Sequence, residues 1–278
     1  MTNAIQVVVE DLYIYPVKSC APVRVASLAF DASGLIVGDR EWVVVDENSN
    51  VVWQGTHPRL ALVHPEFRDG HETLRNSDGD CVQVERSATP TAHDVHIWND
   101  ATKQNDTFSA TDAGEEVAAF LKHTVGAPLR LMRLGRDGQH RAGSNRVHMV
   151  SRASFEELAC DLPPAAQPLE SLIRFRPNIV FGECSEPLLP FIEEHFTKLE
   201  WSMGTTTSSL VIAELCVRCV VPNVDPATGG EDVRVLEVVS RHSATRYPGH
   251  PIYFGLYATS KGPSTLTRDT VLNASLAF

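Results

Sequence analysis

The chain has 278 residues, a hydrophobic fraction of 43% and a charged fraction of 21%, ordinary values for a soluble globular protein. Its formal net charge of -11 argues against non-specific nucleic-acid binding and against docking on anionic lipid, both of which need clustered Lys and Arg. No run approaches the roughly eighteen apolar residues of a membrane span, and the start "MTNAIQVVVEDLYIYPVKSC" lacks the basic segment of a targeting peptide. Six cysteines are too sparse for a disulfide framework, so a cytoplasmic protein with reduced thiols is expected.

Strand signals dominate the first part of the chain. "WVVVD" at 42–46, "VVW" at 51–53, "RLALVHPEF" at 59–67, "CVQVE" at 81–85 and "DVHIW" at 94–98 are β-branched or aromatic runs. Turn formers such as "DENSN" and "NSDGD" separate them, which suggests an antiparallel sheet or barrel. The first helix is expected over "DAGEEVAAFLKHTVG", with Asp112 as cap, Glu115 as its reciprocal partner and Gly126 as terminator.

Residues 130–148, "RLMRLGRDGQHRAGSNRVH", hold five arginines against one Asp in an otherwise acidic chain. The segment reads either as a solvated linker or as a loop that neutralises an anion, and it is the expected boundary between residues 1–129 and 130–278. A second helix is expected after Ser151, stopping before Pro163, and a short third over 188–196. Beyond residue 200, "LVIAELCVRCVV", "VRVLEVVS" and "PIYFGLYATS" read as strands. The expected class is mainly β with peripheral helices (α+β).

The two cysteines of "CVRC", Cys216 and Cys219, admit several readings. A zinc site needs four ligands, and no second such pair exists. A thioredoxin-like pair wants its first cysteine at a helix start, whereas the neighbours here read as strand. In an extended chain, residues at odd separation face opposite sides, so the two thiols are expected to diverge. Either one acts alone or both pack as small hydrophobes. The sharp turn "VPNVDPATGG" that follows places Cys219 at a strand end, where sites tend to be built.

Together with "LYIYPVKSC", "GDREWVVVD", "PRLAL" and "FRPNIV", this stretch resembles the MOSC-domain family in its two-part form, with an amino-terminal β-barrel region. It resembles the mitochondrial amidoxime-reducing component and its bacterial relatives. The resemblance implies a two-part MOSC-type β-barrel architecture holding a molybdenum–molybdopterin cofactor. It implies that Cys219 is the metal ligand and catalytic residue. By motif it places Lys18, Ser19, Arg40, Arg176, Asn178 and Tyr257 at cofactor-binding positions, and Ser151 at a further contact. Cys20 and Cys216 match family cysteines without a ligand role.

The residue types suit that assignment. Lys and Arg make charge-assisted bonds to phosphate, and an Asn amide can pair with a heterocycle edge. Pro177 excludes helical geometry at Arg176 and favours an extended presentation. Thiolate is a fitting ligand for a metal that already carries sulfur.

The implied reaction is reduction of N-hydroxylated compounds, a small-molecule substrate class. The chain stops without a cysteine cluster, so electrons are expected from a separate ferredoxin-, flavin- or cytochrome-type protein. His57 and His148 are candidate proton donors. Two departures stand out: Gly55 occupies the slot where the family usually has an Arg, and Arg268-Asp269 replaces a Gly-Asp turn. The alternative implied by the same resemblance is a cofactor carrier or sulfurtransferase module, as in the carboxyl domain of cofactor sulfurases.

Overall fold

The computed structural model describes residues 4–68, 71–85 and 92–277. Seven strands close into a barrel. In order around it run Ile179–Glu183, Val147–Ser151, Tyr253–Ser260, Thr206–Val217, Phe196–Met203, Val271–Leu276 and Ala4–Ile14, which pairs back to Ile179–Glu183. Closure removes the open sheet edges.

The first strand shows how register sets the core. Val7 and Val9 point inward at alternate positions, and a bulge between Val9 and Asp11 shifts the parity so that Leu12 is the next inward residue. Met149, Phe181, Leu199, Trp201, Leu210, Leu256 and Leu272 fill the interior with them. The Trp201 indole donates to the Thr265 carbonyl at 2.9 Å, so its one polar atom is satisfied. Adjacent Val147–Ser151 and Ile179–Glu183 are parallel, a pairing that requires a crossover, and the helix Arg152–Ala159 lies within it.

A second sheet runs Trp42–Val45, Arg130–Leu134, Gln104–Asp112 and Ala92–Asn99. The helix Glu115–Val125 covers it through Val117, Leu121 and Val125, which pack with Trp42, Val44 and Leu131. The hairpin strands His64–Arg68, His71–Arg75 and Cys81–Gln83 complete this half. Arg130–Leu134 follows the expected boundary yet pairs with strands of the first part, while Ala4–Ile14 belongs to the barrel.

Several expectations need correction. Of the strand expected over "RLALVHPEF", only the second half forms, in His64–Arg68; Pro58–Leu62 before it is a 3-10 turn, because Pro58 presets its first dihedral and Leu60, Ala61 and Leu62 are buried by the turn. Val51 makes a single bridge to Val45, so no strand forms over "VVW". "VRVLEVVS" caps and begins a helix, Arg234–Arg246, with Val233 at the cap: Val235, Val238 and Val239 are buried at helical spacing, which overrides their β-branching. Residues 192–195 form only a 3-10 turn, Ile192–His195. Asp112 does not cap from the cap position, which Gly114 holds; its carboxylate instead accepts the Gly114 amide and pairs with Arg130. Gly126 ends that helix in left-handed geometry, as expected.

Among the described residues, no helix is long and apolar enough to cross a membrane.

Candidate functional site

Three short segments converge where the barrel meets the second sheet. The first, Tyr15–Ser19, is tied to the second sheet by the Lys18 amide, which donates to the Trp42 carbonyl at 2.8 Å. The second carries Arg40, whose amide donates to the Tyr15 carbonyl at 2.7 Å. The third is Arg176-Pro177-Asn178. Ser19, Arg40 and Arg176 have φ of 70°, 54° and 58°. Pro177 does keep Arg176 from right-handed helical geometry, but the residue is left-handed rather than extended. Non-glycine residues in this region cost roughly 1 kcal/mol or more each, and their concentration at one place points to a site.

The fully buried Tyr15 ring lies beneath two of these cations. The Arg176 guanidinium carbon sits 4.2 Å and that of Arg40 5.0 Å from its centroid. Its hydroxyl donates to the Pro177 carbonyl at 3.1 Å. Asn178 is wholly engaged by the protein. Its amide donates to the Tyr13 carbonyl at 3.1 Å and to Asp39 at 3.3 Å, and its oxygen accepts the His148 amide at 3.2 Å. Asp39 in turn pairs with Arg40. Asn178 therefore positions its neighbours and does not line the cavity. Ser151 also lies away from it, fully buried at the end of its strand with an unpartnered hydroxyl.

The other expected residues meet in one cleft of two lobes. The inner lobe, about 360 Å³, is lined by Lys18, Ser19, Arg40, Arg176, Cys216, Arg218, Cys219 and Tyr257, with Trp53, Gln54 and His148. The outer lobe, about 440 Å³, shares Lys18, Arg40, Asp100 and Tyr257 and adds Trp98, Arg141, Ser144 and Arg146. The arginine-rich segment thus contributes to the cleft wall. His57 lies outside it.

Both thiols line the inner lobe, contrary to the expected divergence. The strand ends at Val217, with a register shift between Leu215 and Val217, so alternation does not extend to Cys219. Cys219 is exposed, whereas Cys216 is buried. Arg218 Nη1 donates to Cys216 Sγ at 3.0 Å. Burial alone would push the Cys216 thiol up, but the Arg218 guanidinium and the His148 ring more than offset it, and the thiol falls to about 6. His148 Nδ1 lies 3.1 Å from the Arg176 carbonyl, an acceptor, so Nδ1 carries a proton. Cys20, by contrast, is pushed up to about 12 by burial and is inert.

The cations are under-compensated. Burial, reinforced by Arg141, Arg176 and Arg40, lowers the Lys18 ammonium to about 8. Burial likewise lowers Arg176 to about 10. Arg176 Nη1 reaches the Cys20 carbonyl at 2.8 Å, while its Nη2 is buried without a partner. An anion of suitable shape would satisfy these groups. Among the described residues no cluster of three or more His, Cys, Asp or Glu gathers around a metal position.

The turn after Cys219 is held from below. Arg174, 4% exposed, donates to the Val224 carbonyl at 2.9 Å and pairs with Asp225 at 2.5 Å. Asp225 accepts the amides of Ala227 and Thr228 at 2.9 and 3.0 Å. Arg174→Met is expected to cost about 3 kcal/mol in denaturant unfolding, because it removes the cation paired with the Asp225 carboxylate and the donor to the Val224 carbonyl. A change within about 0.5 kcal/mol would remove Arg174 from this account.

Gly255 opposes the site from the neighbouring strand. Its φ is +74°, and a Cβ there would stand 2.7 Å from the Met149 carbonyl and 2.8 Å from His148 Nε2. Gly255→Ala is expected to lower stability by about 2–4 kcal/mol and to displace His148. Unchanged unfolding with an unchanged His148 resonance would contradict this.

Sequence reasoning did not assign Arg218, Arg141, Tyr15, Asp39 or Trp98 to the site. Arg218 lies between the two cysteines, Tyr15 and Asp39 lie inside the motifs "LYIYPVKSC" and "GDREWVVVD", and Arg141 lies in the arginine-rich segment, but none of these placements separates a site residue from its neighbours.

A closed barrel joined to a second β unit, with a cationic cleft bearing two cysteines, defines a mainly-β class of protein. Residues 6–128 match the MOSC N-terminal beta barrel domain and residues 136–272 the MOSC domain. The chain belongs to the MOSC family in its two-part form. It is 25% identical over 292 residues to mitochondrial amidoxime reducing component 2 of Bos taurus, covering 95% of this chain and 82% of that protein. It is 27% identical over 280 residues to molybdenum cofactor sulfurase of Danio rerio, covering 87% of this chain and 33% of that protein. The chain thus spans about a third of the sulfurases it matches. A solved structure, the YUAD protein from Bacillus subtilis, covers 99% of both chains at 12% identity with a TM-score of 0.41.

Proposed function

We propose that this protein is a cytoplasmic, molybdenum-cofactor-dependent reductase of N-hydroxylated compounds, with Cys219 as the protein ligand to the metal. The observation that carries the reading is an exposed thiol at a strand end, facing a lobe whose cations Lys18 and Arg176 have no carboxylate ion pair among the described residues. Lys18, Ser19 and Arg40 would hold the phosphate, and Arg176 the ring system, with Tyr257 against them. Asn178 and Asp39 orient Arg40, and Ser151 stays outside the contact set. When bound, the cofactor would supply the two-electron chemistry that breaking an N–O bond requires.

Overall, an N-hydroxy group takes up two electrons and two protons and leaves as N–H and water. The electrons come from a separate electron-transfer protein. His148 lines the inner lobe, but its Nδ1 faces the Arg176 carbonyl at 3.1 Å and its Nε2 lies 3.3 Å from Arg218 Nη1, so the protons are assigned to solvent. The names of the amidoxime-reducing relatives support the substrate class.

Protein from a cofactor-competent host, given reduced viologen, is expected to convert benzamidoxime to benzamidine. Molybdenum-loaded protein without turnover would contradict the reductase reading. The sulfurase relatives and the exposed Cys219 support a second reading, sulfur transfer. A persulfide on Cys219, passed to an acceptor, would establish it.

A further inference from the structure

With the proposed cofactor in the lobe that holds Cys219, the adjoining outer lobe, which shares Lys18, Arg40, Asp100 and Tyr257 with it, has a volume of about 440 Å³ and room for a small organic ligand. The chemistry of that lobe's own walls then sets the substrate class. Its charges sort into satisfied and unsatisfied groups. Arg146 pairs with Glu214 at 2.6 Å and lies 5.6 Å from the Tyr257 centroid. Arg40 pairs with Asp39. Asp100 accepts the Trp98 indole at 3.1 Å and faces Lys103 at 3.6 Å.

Arg141 is different. Its Nη1 donates to the Gly138 carbonyl at 2.7 Å, and no ion pair holds it among the described residues. Burial and the nearby Arg40 depress it to about 10. The Trp98 ring is 56% exposed, and its indole nitrogen is fixed by Asp100. Lys18, which also lines this lobe, is assigned above to the cofactor phosphate, so the lobe's own walls offer one held aromatic face and one guanidinium without an ion pair among the described residues.

We propose that the outer lobe is a substrate subsite selecting flat N-hydroxylated compounds that carry a carboxylate, with Trp98 against the ring and Arg141 on the anion. The proposal rests on the reductase reading. A guanidinium forks onto a carboxylate through two parallel bonds, and a rigid aromatic face gives contact area at little entropic cost. Ser144, whose hydroxyl donates to the Arg141 carbonyl at 2.7 Å, braces the loop that presents the charge.

The test compares kcat/KM for 4-carboxybenzamidoxime and benzamidoxime with the loaded enzyme and reduced viologen. The carboxylated compound is expected to be favoured about tenfold or more. In Arg141→Met the ratio is expected to fall to near one, and in Arg141→Lys to an intermediate value. Because each variant supplies its own ratio, partial misfolding does not mimic the effect. A ratio near one in the unaltered protein overturns the proposal. So does an Arg141→Met protein that loses pterin and molybdenum, since Arg141 would then belong to the cofactor.

If neither amidoxime is reduced, the reductase reading fails by itself. Calorimetry with 4-carboxybenzamidine then decides the subsite: binding weakened in Arg141→Met supports it, and equal binding overturns it.

Discussion

Replacing Cys219 by alanine is expected to leave the protein without molybdenum when it is made in a cofactor-competent host, and to abolish any amidoxime reduction. Its fold should be indifferent to the change. Cys219 is exposed beyond the last paired residue of its strand, so unfolding should move by no more than about 0.5 kcal/mol.

Cys216→Ala should do the reverse. Cys216 is 1% exposed and accepts a bond from Arg218, whose guanidinium also donates to the Phe175 carbonyl at 3.0 Å. Removing its sulfur strands a buried cation, a loss of about 1–3 kcal/mol. Metal content read by mass spectrometry and stability read in denaturant should therefore separate the two cysteines. A Cys219→Ala protein that keeps its metal, or a Cys216→Ala protein that alone loses it, would invert the assignment.

The second large effect is a gain in stability. Lys18→Met should make the cofactor-free protein about 2 kcal/mol more stable at pH 7, while impairing cofactor retention. The folded-state pKa of Lys18, about 8, lies below its ordinary 10.5. At pH 7 both folded and unfolded chains hold the proton, and the folded chain bears the full cost of a buried charge crowded by Arg141, Arg176 and Arg40. Between pH 8 and 10.5 the folded lysine has released its proton and the unfolded one has not, so stability rises with pH across that window. The advantage of Lys18→Met is thus greatest at pH 7 and vanishes above about pH 10.5.

Thermal unfolding of both proteins at pH 7 and pH 10.5 checks this. A variant that is less stable at pH 7, or equally favoured at both, would show that Lys18 is not held for an anion. The sign is informative because a purely structural lysine would be missed rather than relieved.

The legible parts of the fold were those where composition and period agree. "WVVVD", "DVHIW" and "PIYFGLYATS" are β-branched or aromatic and fall in strands Trp42–Val45, Ala92–Asn99 and Tyr253–Ser260. "VRVLEVVS" misled because valine favours strands locally, whereas three valines on one helical face have a core to bury against. The first half of "RLALVHPEF" misled because a short apolar run does not reveal its period, while its second half falls in the strand His64–Arg68.

In the site, motifs brought Lys18, Ser19, Arg40, Arg176, Cys219 and Tyr257 to one cleft. They did not distinguish a residue that faces the cavity from one that holds its neighbours. Asn178 sits in the same short motif as Arg176, yet all its polar atoms are used within the protein. Trp98 comes from the strand Ala92–Asn99 and Arg141 from a loop beyond Arg130–Leu134, and their meeting depends on the pairing of Arg130–Leu134 with Gln104–Asp112 and of Ala92–Asn99 with its neighbour. No local pattern encodes that meeting.

The central claim is a bond between the Cys219 sulfur and molybdenum, and X-ray absorption at the molybdenum edge reads it directly. Unaltered protein from a cofactor-competent host should show one more sulfur neighbour than Cys219→Ser reconstituted with the same cofactor. Equal sulfur counts in the two samples would contradict the account.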